Sequence, residues 1–121
     1  MDKVNDVDRK IAFGQPKIEY FQVPLLRDTT VIQRPADQNM IVKRYTEEAI
    51  KVIKESKKAP FFLYMAHALP HVPLFASKEF LGTSERGLYG DVIEEIDWSV
   101  GQILAALKKE GLDKNTYVVF K

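Results

Sequence analysis

The sequence predicts an α/β fold, a parallel β-α-β unit with one helix ahead of it, from three observations. Two short continuous apolar runs, Phe61 to Ala66 and Thr116 to Phe120, read as strands buried on both faces. A long amphipathic stretch between them, about Gly87 to Lys109, reads as a crossover helix, and strands joined that way run parallel. A second amphipathic stretch follows Pro35 and supplies the preceding helix.

Residues 1–17 are polar, broken by Gly14 and Pro16, and read as an irregular lead-in; residues 18–121 read as a piece of one domain. Ile18 to Leu26 is apolar and aromatic, and Pro24 confines it to an extended edge segment, because proline cannot donate to a ladder. Thr29 to Gln33 is β-branched and reads as a second short extended piece. Asp37 is placed to cap the next helix, whose Ile41, Tyr45, Ala49, Val52 and Ile53 recur at spacings of three and four. Lys57, Lys58 and Pro60 close it.

After the run at 61–66, the segment holding Pro70, Pro73 and Gly82 reads as an ordered loop with at most a turn of helix near Ser77. In the long helix Val92, Ile96, Val100, Ile103, Leu104 and Leu107 form an apolar stripe. Asp91, Glu94 and Glu95 fall mostly off that stripe, and Lys108 and Lys109 suit the negative end of the helix dipole. Gly111 is placed to take the left-handed conformation after the last turn. Two or three strands make a small sheet with open edges, which suggests an internal piece of a larger domain.

Composition narrows the function. Eighteen basic and seventeen acidic residues give a formal net charge of +1 and no concentrated basic footprint, which argues against nucleic acid as a partner. Lys54, Lys57 and Lys58 cluster at a helix end, where cations suit the dipole without any ligand. No apolar run approaches the ~20 residues that span a bilayer, so no membrane partner is expected. No cysteine occurs, which excludes thiolate nucleophiles and cysteine-based metal sites within these residues. Met1 to Asp6 has no apolar signal region, and the compartment stays open.

The two histidines, His67 and His71, leave the C-terminal end of the first apolar run, where open α/β sheets place their ligands. Their spacing of four would suit a metal only on a helix, which Pro70 and Pro73 prevent. A proline-held loop instead fixes an imidazole for hydrogen bonding or proton transfer. The alternative is a histidine that caps the strand or satisfies buried backbone, and this suits His67 better than His71.

Several pieces resemble the sulfatase family of the alkaline-phosphatase-like superfamily, in the arylsulfatase style. They are Pro60-Phe-Phe-Leu-Tyr-Met-Ala-His67, Pro70-His-Val-Pro-Leu74, Gly87-Leu-Tyr-Gly-Asp-Val-Ile-Glu-Glu-Ile-Asp97, Ser99-Val-Gly101, Gly111-Leu-Asp-Lys-Asn-Thr116 and Val118-Val-Phe120, in that order. Val23-Pro-Leu-Leu26 and Arg34-Pro-Ala-Asp37 extend the resemblance upstream.

The resemblance implies a partial alkaline-phosphatase-like sandwich acting on a sulfate-ester substrate together with the rest of the sulfatase chain. His71 matches the family histidine that contacts the sulfate ester near the leaving oxygen, which makes it the expected catalytic and substrate-binding residue. Asp97 and Gly101 match the helix pattern as packing and capping residues, and Lys78 matches no substrate lysine. The family also uses calcium and a formylglycine made from a Cys/Ser-x-Pro-x-Arg motif. That motif is absent here, the nearest run being Ser56-Lys-Lys-Ala-Pro60, and no calcium ligand can be named. The chain alone is therefore expected to be inactive. A non-catalytic packing module, and a phosphodiesterase or phosphatase relative, are the competing readings.

Overall fold

The computed structural model describes residues 17–121, so the expected lead-in over 1–17 lies, Lys17 apart, outside the described residues. Immediately after Pro24, β1 (Leu25–Arg27) pairs antiparallel with β2 (Thr30–Gln33). Asp28 opens the two-residue turn with φ 53°, a left-handed conformation that an aspartate tolerates better than bulkier residues. The register slips between Leu25 and Leu26, as an extra residue opposite them requires.

Ala36 N–H then donates to Val23 O at 2.8 Å and folds the chain back on itself. The expected cap is present: the Asp37 carboxylate accepts from Asn39 N–H at 3.2 Å, at the head of a 3-10 turn over Gln38–Met40. That turn runs into α1 (Ile41–Glu55). The Gln33 side-chain oxygen accepts from both Asp37 N–H, at 3.2 Å, and Arg44, at 2.5 Å, tying hairpin to helix.

The long helix, α2 (Gly87–Lys109), packs along α1. Its stop is a Schellman motif: Leu112 N–H reaches Leu107 O at 2.9 Å and Gly111 N–H reaches Lys108 O at 3.1 Å. Gly111 takes φ 71° as expected, and Leu112 packs back on the Leu107 cluster.

The core has two apolar parts. Ile41 and Val42 meet Leu69, Ala76, Val92 and Ile96 at one end, and Ile53 meets Ala106 and Leu107 at the other. Both α1 and the stripe of α2 bury as the periodicity anticipates, except that Leu104 is exposed. A buried polar pair also joins the helices. The Ser99 and Thr46 hydroxyls are 2.6 Å apart, and Thr46 donates to Val42 O at 2.7 Å, so both protons are used.

Several expectations need correction. Neither 61–66 nor 116–120 forms a ladder, and the one sheet among the described residues is the antiparallel hairpin. The parallel β-α-β unit is therefore not formed within this chain, although neither segment is helical. A strand is defined by its partner, and neither segment meets one here. Nor is the first run buried on both faces. Phe61, Leu63, Met65 and His67 are half-buried, whereas Phe62, Tyr64 and Ala66 between them are exposed. This period of two marks one covered face. The face is turned to α1, since Phe61 packs on the Ile53 cluster and Leu63 and Met65 line a groove with Tyr45, Ala49 and Val52.

Asp97 and Gly101 do not pack either. Asp97 is exposed, and a Cβ built on Gly101 would meet nothing within 4 Å. The opposite holds for Asp91 and Glu95, which the stripe places toward solvent but which are 2% and 1% exposed.

Candidate functional site

The loop over 67–86 carries both histidines, and its anchors explain where each side chain lies. Leu69 is buried ahead of the tip, and Phe75, Ala76 and Ser77 are buried after it. Between these anchors Pro70 and Pro73 bracket His71 and Val72, which are exposed. The proline rings fix φ on both sides of the tip, so little backbone freedom remains there.

His71 Nδ1 lies 2.6 Å from Val72 O. A carbonyl only accepts, so Nδ1 carries the hydrogen of this bond, and Nε2 is the nitrogen left for a ligand. With Nδ1 bonded to the backbone, the exposed imidazole on this braced loop can take a proton at Nε2 and, carrying it, donate to an anionic group.

His67 has a different setting. It closes the covered face of the extended segment, its ring centroid 6.3 Å from that of Tyr45 on α1. Its Nδ1 is buried and takes no protein partner among the described residues. Burial pushes its pKa below the ordinary 6.5, because the charged ring is poorly solvated there, so His67 is neutral near pH 7. The two histidines thus have different settings: one lies beside Tyr45 on α1 and the other stands exposed at the loop tip. Among the described residues no three His, Cys, Asp or Glu side chains converge.

The groups that the sequence reading missed are the carboxylates holding the loop. Glu95 accepts from Ser77 N–H at 2.8 Å. Asp91 accepts from Gly82 N–H at 2.8 Å and from Ser84 N–H at 2.9 Å. These backbone donors, that of Gly82 first, hold the Asp91 carboxyl below its ordinary range. Glu94 accepts from Thr83 at 2.7 Å. The turn expected near Ser77 is present, with Phe80 and Leu81 N–H both reaching Ser77 O. Farther along, Ser84 packs so tightly on α2 that a Cβ at Gly90 would lie 2.0 Å from its hydroxyl oxygen. A signal was available: a loop with so many backbone donors needs acceptors, and acidic residues four apart beside an apolar stripe can supply them.

Surface ion pairs brace the frame: Arg27 with Glu48, Lys43 with Glu79 and Lys57 with Glu110. Lys57, expected as a solvated helix end, thus reaches the end of α2 and holds the Glu110 carboxyl below its ordinary range. Pairs this close to solvent add little to stability.

A family model for sulfatases matches residues 5–121, nearly the whole chain. The chain belongs to the sulfatase family. It is 46% identical over 91 residues to N-acetylgalactosamine-6-sulfatase of Mus musculus, covering 74% of this chain and 18% of that protein. It is 40% identical over 96 residues to steryl-sulfatase of Homo sapiens, covering 79% of this chain and 16% of the relative. Arylsulfatase H of Homo sapiens is also 40% identical over 96 residues, covering 79% and 17%. This sulfatase-family chain thus spans less than a fifth of the length of these curated relatives. The matches favour a sulfatase over a phosphatase or phosphodiesterase relative. No helix among the described residues is long and apolar enough to cross a membrane.

Proposed function

We propose that this chain is the histidine-loop segment of a sulfuric-ester hydrolase, in which His71 contacts the sulfate ester and stabilises the charge on the departing oxygen. The observation that carries the reading is His71 itself, an exposed imidazole between two prolines on a loop anchored at both ends. A donor held ready for charge that grows as a bond breaks acts mainly in the transition state. The rest of the sulfatase chain supplies the remaining site, and 61–66 and 116–120 enter its central sheet as parallel strands.

Calcium and formylglycine belong to the family chemistry, and the donors in this chain do not fit either. There is no cysteine and no Cys/Ser-x-Pro-x-Arg run. Asp91 and Glu95, the buried acids, already accept from loop N–H groups. No step is therefore routed through either group here. The 121-residue chain alone is expected neither to turn over an aryl sulfate nor to bind calcium at micromolar concentrations, which a turnover assay and calorimetry check. Saturable turnover by the pure chain would overturn this.

The direct test is His71→Ala in the full-length enzyme. Turnover should fall by on the order of a hundredfold or more, with folding and formylglycine formation unchanged. His67→Ala should cost markedly less activity, because its ring packs on Tyr45. Equal losses in the two variants would reverse the assignment.

A further inference from the structure

Glu95 sits in the middle of α2 at 1% exposure, in the interface where Val92 and Ile96 are buried. None of the three ion pairs among the described residues includes it. Its Oε2 accepts from Ser77 N–H at 2.8 Å, while its Oε1 is buried with no protein donor. A carboxylate in such a place is costly to bury, and an apolar side chain would pack there at less cost. Core stability alone therefore does not account for it. Its one observed bond runs to the loop that carries His71.

That bond lies at a telling place. Ser77 is six residues past His71, and its N–H is the first backbone donor after the tip that bonds to a side chain of α2. Pro73 and the buried Phe75 and Ala76 leave little slack between them. Asp91, one turn earlier on α2, holds Gly82 and Ser84 independently, so the far end of the loop does not depend on Glu95.

We propose that Glu95 is a positioning residue, which fixes the direction of His71 by tying Ser77 to α2. The inference rests on the role assigned to His71 above. Glu95 touches no substrate in this scheme and acts only through the loop.

The test is a double-mutant cycle in the full-length enzyme, assayed with 4-nitrophenyl sulfate. Glu95→Ala should lower kcat about tenfold, because an ångström of misplacement in a preorganised group is expensive. KM should stay within about twofold, the signature of an interaction made in the transition state. Glu95→Gln keeps an acceptor oxygen for Ser77 N–H and should hold kcat within about threefold of wild type. In a His71→Ala background Glu95→Ala should cost nothing further, since the residue it positions is gone.

A full tenfold loss in that background would overturn the inference while leaving His71 its role, and so would a Glu95→Gln variant as damaged as Glu95→Ala. A His71→Ala enzyme with unchanged kcat would overturn the role of His71 and this inference together. If Glu95→Ala does not fold, Glu95→Asp, which withdraws the carboxylate by one methylene, is carried through the same cycle with the same outcomes.

Discussion

Along α1 and α2 an apolar stripe turns inward, with Ile53 at 1% and Val92 at 0% exposure. Along 61–66 and 116–120 several large apolar side chains face solvent instead, with Phe62 at 91% and Tyr117 at 94%. Both regions are rich in apolar residues, so hydrophobicity does not separate them. A helix satisfies its backbone within itself and needs only one neighbour for its apolar stripe. An extended segment must find partners for its backbone as well as cover for two faces. In this chain α1 and α2 meet that demand for each other, whereas 61–66 has cover on one face only.

Truncating the well-packed region should give the largest effect. Ile53→Ala in the 121-residue chain should cost about 2–5 kcal/mol in urea unfolding, through lost burial and the cavity left behind. Next comes the polar pair. Thr46→Val leaves Ser99 without its 2.6 Å partner inside the helix interface and should cost about 1–3 kcal/mol. Adding Ser99→Ala should recover part of that loss, because the hydroxyl left unpaired is then gone.

Acid should affect the loop more gently, and its sign is set by Asp91. The folded pKa of this carboxyl lies below its ordinary value. As pH falls below the ordinary carboxylate range, the unfolded chain therefore takes up the proton first. The contribution is complete above that range and disappears as pH falls through the lowered folded value. Asp91→Asn should flatten this part of the acid-unfolding curve, and circular dichroism against pH measures it.

Phe62→Ala should give the smallest effect in the 121-residue chain, within about 0.5 kcal/mol, because the ring is solvent-exposed. In the full-length enzyme the same change should cost about 3–5 kcal/mol if the segment lies inside a covered sheet. Equal small effects in both settings would break the contrast and remove 61–66 from the central sheet. Amide exchange sharpens it further: the amides of 61–66 should exchange fast in this chain and slowly in the full-length enzyme.

Much of this architecture was legible in the residues. Ile41 to Ile53 and Val92 to Leu107 set the helical faces by period alone, Asp37 marked the start of the first and Gly111 the stop of the second. The prolines around His71 marked a braced loop. These signals are local, since caps, turns and periodicity act within a few residues.

What the tertiary structure decided was every matter of partnership. Phe61 to Ala66 reads as a buried strand from composition, yet its hydrogen bonding depends on neighbours that a single segment cannot specify. His67 and His71 look alike as residue types, and only packing beside Tyr45 separates the half-buried ring from the exposed one. Asp91 and Glu95 read as solvent-facing charges until the loop over 77–84 comes to lie across α2. The physical reason is the same in each case: the sequence determined which faces could be buried, whereas unpaired backbone donors, brought close only by folding, determined which polar groups joined them.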